Sequence, residues 1–112
     1  MSTLARVPLI DRNDTTGERH ALLGQIHGAF GVTPNMFRAV ANSTAALKSM
    51  WGAFGALGGG VIPARLGEQI AVAIANRNAC EYCLAAHTAL GRKAGASSQE
   101  MTAAQDGESE DP

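Results

Sequence analysis

The chain has 112 residues, 46% hydrophobic and 17% charged, with a formal net charge of −1. That is room for one domain, with a soluble, globular composition slightly rich in alanine and glycine. Lysine and arginine are scattered rather than clustered, which argues against nucleic acid as a partner, and no apolar run approaches the roughly 20 residues of a membrane span.

The first residues, Met1-Ser-Thr-Leu-Ala-Arg6, lack the charged and apolar regions of a signal peptide, so a cytoplasmic location is expected. In a reducing compartment two cysteines point to catalysis or metal binding rather than to a structural staple. Pro8 and the polar run Asp11-Arg-Asn-Asp14 argue for an extended start over residues 1–14. Thr15 or Thr16 can cap a helix over about 17–30, with Leu22, Leu23, Ile26 and Phe30 as its apolar stripe. His20 and His27 share a face of that helix, but nothing near them in sequence completes a metal site, and both read as solvated or core-edge histidines.

Gly31-Val-Thr33-Pro34 reads as a break followed by a Thr cap and Pro in the first helical position. A short helix follows over 35–41, and Asn42-Ser-Thr44 restarts the chain. Leu47, Met50, Trp51, Phe54 and Leu57 then recur at helical spacing, most simply as core, with a pocket wall as the alternative for Trp51 and Phe54. Gly58-Gly-Gly60 stops that helix without the lysine of a phosphate loop. Ile62-Pro63 opens the next one, in which Glu68 is the only charge between Arg65 and Arg77. Apolar residues surround it, so the helix is expected to be buried. A buried carboxylate is costly unless paired, and such a group is suited to moving protons near neutral pH. The bland alternative is a glutamate that snorkels to solvent.

Cys80, Cys83 and His87 stand at i, i+3 and i+7, on one face of a helix that turns by about 100° per residue. Cys83 and His87 are one turn apart. Asn78 reads as an N-cap with Glu81 three residues later, as in a capping box, so the helix is predicted to begin just before Cys80. Its N-terminal dipole would favour a thiolate there, partly opposed by Glu81. Ser97-Ser-Gln-Glu100 is another capping pattern, opening a last short helix. The tail over 105–112 is acidic and is expected to be flexible. No alternating strand pattern of useful length appears, so the predicted class is all-α, a compact bundle of about five or six helices over 1–104.

Glu68, eleven intervening residues, Cys80-x-x-Cys83, three residues and His87 together resemble the signature of the alkylhydroperoxidase D-like proteins of the carboxymuconolactone decarboxylase superfamily. Gly31-Val-Thr-Pro-Asn-Met-Phe-Arg38 and the run Arg65 to Asn76 extend the resemblance over roughly residues 20–104. It implies an all-α fold assembled as a homo-oligomer, a trimer or hexamer. It also implies a hydroperoxide reductase in which Cys83 attacks the peroxide, Cys80 resolves the sulfenic acid as a disulfide, and His87 and Glu68 relay protons. No cofactor or metal would be bound, and an external dithiol protein of the dihydrolipoyl type would reduce the disulfide. Local electrostatics favour Cys80 as the more acidic thiol, whereas the resemblance favours Cys83, beside its base.

Two departures stand out. Tyr82 occupies the place of a second relay histidine, and a phenol is a poor relay near neutral pH. Related chains also commonly continue with further helices, so part of an interface or site wall is expected to be missing. Two other readings compete: a metal site from Cys80, Cys83 and His87 with Glu68 or a loose histidine as fourth ligand, disfavoured because structural zinc prefers more thiolates and a turn rather than a helix around the cysteines, and a disulfide oxidoreductase or redox-sensing helical oligomer without peroxidase turnover.

Overall fold

The computed structural model describes residues 6–111, and among these it is all-helical, with no strand. Six α-helices follow a single 3-10 turn at Arg12–Asp14: α1 (Gly17–Phe30), α2 (Asn35–Val40), α3 (Thr44–Gly58), α4 (Ala64–Arg77), α5 (Glu81–Lys93) and α6 (Ser98–Ala104). The helices fall into two packing units, Met1–Ala56 and Leu57–Pro112.

In the first unit Leu23 and Ile26 of α1, Phe37 and Ala41 at α2, and Leu47 of α3 are fully buried together. Phe30, Trp51 and Phe54 surround Phe37, whose ring meets that of Phe54 edge-on at 5.3 Å and that of Trp51 at 5.7 Å. The Trp51 indole donates to Gln25 Oε1 at 3.1 Å, so its polar end is satisfied. The stripe on α3 therefore packs against the core as far as Trp51, whereas Phe54 is 41% and Leu57 77% exposed and they do not extend it. The start of the chain is not wholly extended: the Asp11 carboxylate accepts from Asn13 N at 2.8 Å and closes the 3-10 turn, an Asx-type bond that proline-based reasoning overlooks. The segment before it is tied to α2 by two bonds: Ile10 N donates to Arg38 O, and the Arg38 side-chain Nε donates to Ile10 O, each at 3.1 Å. Residues 1–5 of the expected extended start lie outside the described residues.

One cap differs from expectation by one residue, and another, at the expected Thr16, lacks the side-chain bond of a cap. Pro34, not Thr33, is the N-cap of α2, and Thr33 bonds His27 Nδ1 at 3.0 Å instead. Thr16 caps α1 without a side-chain bond.

In the second unit Val72, Ala96, Met101 and Ala104 form the core, with Leu84 against it. Burial of side chains such as Val72 and Met101 contributes about 1.5–3 kcal/mol each, the main force holding α4, α5 and α6 together. The α6 capping box is complete: Ser97 Oγ accepts from Glu100 N, and Glu100 Oε2 accepts from Ser97 N. The acidic tail makes defined contacts with α4. Asn76 Nδ2 donates to Gln105 O at 2.8 Å, and Ser109 Oγ donates to Gln69 Oε1 at 2.9 Å.

Helix α4 is not buried all round. Glu68, Val72 and Ala75 share its inner face, whereas Ile70 is 42% and Ile74 55% exposed. An apolar circumference is thus not sufficient evidence for burial in a small unit with too few helices to cover every side.

Candidate active site

The second unit brings the four sequence-predicted residues to the α4–α5 pair. Helix α4 runs to Arg77, and Asn78 is its C-cap, with N–H donating to Ile74 O at 2.9 Å. The predicted Asn78 N-cap is therefore displaced by two residues: Cys80 is the N-cap of α5, and its Sγ accepts from Cys83 N at 3.2 Å. Asn is accepted at the end of a helix as well as at an N-cap, and the preceding helix claims it first. Between the helices Ala79 takes the left-handed conformation, φ 54°, and Cys80 N returns to Ala75 O at 3.0 Å. This tight corner holds the cysteines against the end of α4.

Cys80 and Cys83 form a disulfide with a Cα–Cα separation of 5.3 Å. The i, i+3 spacing brings them within reach, with Cys80 extended (φ −94°, ψ 95°) and Cys83 in the first helical turn. Both are half-buried. Tyr82 between them is 69% exposed.

His87 stands one turn beyond Cys83. Its Nδ1 lies 2.7 Å from Glu68 Oε2 on α4. A carboxylate oxygen accepts only, so at this distance Nδ1 carries the proton and donates it. The other ring nitrogen, Nε2, is left as the basic atom and has no partner among the described residues. The side chains are 35% and 24% exposed, so the pair sits at the rim of the unit and neither group is cut off from water. Glu68 is paired rather than snorkelling free.

Two residues of the second unit, one beside the site and one within it, carried no sequence signal. Gln69, next to Glu68, is only 4% exposed and takes the Ser109 hydroxyl. Gly91, one turn beyond His87, is buried, and a heptad-scale search for apolar side chains passes over a residue that has none. A hollow of about 480 Å³ in the same unit is lined by Gln69, Ser97, Glu100, Glu108 and Ser109 among others, and includes none of the four candidate residues. Among the described residues no group of three or more His, Cys, Asp or Glu is placed to hold a metal ion. No described helix is long and apolar enough to cross a membrane.

The family model described as the carboxymuconolactone decarboxylase family matches residues 44–108, a span that includes all four candidates. Among solved structures the chain is similar to the alkylhydroperoxidase AhpD core from Rhodospirillum rubrum, with a TM-score of 0.77 and 29% identity, covering 91% of this chain and 79% of that one. No curated protein matches significantly.

Proposed function

The chain belongs to the carboxymuconolactone decarboxylase family and has an alkylhydroperoxidase D-like fold, and from that premise we propose that it is a thiol-dependent hydroperoxide reductase. The observation that carries this reading is the conjunction of a Cys80–Cys83 disulfide with a Glu68–His87 pair whose free nitrogen is one turn from Cys83.

In the reduced protein, His87 Nε2 takes the proton of Cys83, and Glu68 stabilises the charge that develops on the ring. The Cys83 thiolate attacks a peroxide oxygen. The S–O bond forms, the O–O bond breaks, and the departing alkoxide takes a proton to leave as an alcohol. Cys80 then attacks the sulfenic sulfur, the Cys80–Cys83 bond forms, and water leaves. An external dithiol reduces the disulfide through a mixed disulfide and is itself oxidised. The sum is one hydroperoxide and one dithiol converted to alcohol, water and disulfide. No bound cofactor enters this scheme. The proposed partners are the peroxide, a dihydrolipoyl-type reductant and further copies of the chain, with exposed Ile70 and Ile74 as the apolar surface that self-association would cover. The expected location of this chemistry is the cytoplasm.

Cys80 as N-cap sustains the competing claim that its thiol is the more acidic. Peroxide consumption with dihydrolipoamide separates the roles. Cys83→Ser should abolish turnover and leave no sulfenic acid, whereas Cys80→Ser should consume one equivalent of peroxide and stop. The reverse pattern would exchange the two roles, and a wild-type protein whose disulfide cycles with dithiol but not with peroxide would favour the oxidoreductase or sensor reading.

A further inference from the structure

Glu68 is held at two points along its side chain. Its carboxylate reaches His87 Nδ1, and its Cβ lies against Gly91, four residues further along α5 and so on the same face. The side chain thus spans one turn of α5. A Cβ built on Gly91 would stand 3.3 Å from Glu68 Cβ, 2.6 Å from Met101 Sδ and closer still to Met101 Cε. Met101 is 1% exposed, so the end of its thioether fills the space that a side chain at position 91 would take. Glycine is less favourable than alanine inside a helix, and Gly91 is not among the residues of positive φ. The position therefore uses glycine for space and not for backbone freedom.

We propose that Gly91 is the positioning residue of the Glu68–His87 pair: with no side chain there, α4 and Met101 close on α5 far enough for the Glu68 carboxylate to meet the imidazole. The two contacts differ in kind. The end of Met101 is flexible and can swing aside, whereas Glu68 Cβ is fixed to the α4 backbone and can yield only by moving that helix. An alanine at position 91 consequently withdraws the base of Glu68 by a few tenths of an ångström and lengthens or breaks the bond to Nδ1. The catalytic consequence rests on the reductase reading, but the positioning itself does not.

The test uses the full chain with ¹⁵N-labelled histidine, with helicity by circular dichroism as the check of folding. In the wild type His87 should show a single tautomer with a slowly exchanging, downfield Nδ1 proton, and Glu68→Gln should move that signal. Gly91→Ala should lose or shift the same signal and lower the rate of thiol oxidation by peroxide about tenfold, as a small misplacement of a catalytic group does. The double variant Gly91→Ala/Met101→Ala, compared with Met101→Ala, removes the thioether and leaves only the contact with Glu68, and the shift should persist. An unchanged Nδ1 signal in folded Gly91→Ala would overturn the proposal, as would an effect that vanishes in the Met101→Ala background. If the wild type does not react with peroxide, the reductase reading fails while the NMR comparison still decides the role of Gly91.

Discussion

His87 shows how one hydrogen bond can matter more for chemistry than for stability. A bond of this kind contributes on the order of 1 kcal/mol net, less than the burial of a single core side chain such as Val72. Its value is in selecting the tautomer, because the Nδ1 proton is committed to Glu68 and the basic lone pair is on Nε2. Glu68→Gln keeps the shape but removes the charge that the developing imidazolium would face. Thiol oxidation should slow by roughly 100-fold, in the range of a lost acid–base group, while the thermal unfolding midpoint stays close to that of the wild type. A large fall in the midpoint together with a small fall in rate would reassign the pair to a structural role. His87→Gln should slow oxidation at least as much, read by stopped-flow loss of free thiol.

At the scale of elements, the α4–α5 corner decides the site. Ala79 at φ 54° is a non-glycine residue in the left-handed region, a conformation that costs an L-residue on the order of 1 kcal/mol. Ala79→Gly should therefore be neutral or stabilising by up to about 1 kcal/mol in urea unfolding, against the usual loss from an added glycine. A clear destabilisation would mean that the Ala79 methyl packs productively. The opposite sign is expected at the start of α6, where Ser97→Ala removes the acceptor for Glu100 N and should cost about 1 kcal/mol. The ion pairs of Arg65 with Glu100 and Asp111 are long, 3.8 Å each, with a side chain 43% exposed, and Arg65→Ala should change the urea midpoint little.

At the scale of the whole chain, each unit carries a core of its own, one aromatic and one of small aliphatic side chains with Met101. Phe37 is fully buried with two rings edge-on to it, so Phe37→Ala should cost about 3–5 kcal/mol. The second unit leaves Ile62, Ile70 and Ile74 half or more exposed to water or nearly so, at 50%, 42% and 55%, more apolar surface than α4 needs for its own packing. If the proposed self-association covers this face, Ile74→Glu should shift sedimentation toward the monomer without loss of helicity. An unchanged sedimentation coefficient would place the contact elsewhere.

The sequence by itself determined the helical class, the limits of α1 and the capping box at Ser97, and it put forward the four candidate residues, because helical periodicity and capping chemistry are local and a spacing such as Cys83-x-x-x-His87 can be read on a single helix. It misread Asn78, Phe54, Leu57 and the circumference of α4, where a local pattern was consistent with more than one neighbourhood. Only the tertiary structure decided that Glu68 pairs with His87 across 19 residues of sequence, and that Gly91 lies against the base of the Glu68 side chain. The reason is that contact between helices depends on which faces meet and how closely, and the space left by an absent side chain has no signature until a neighbouring helix fills it.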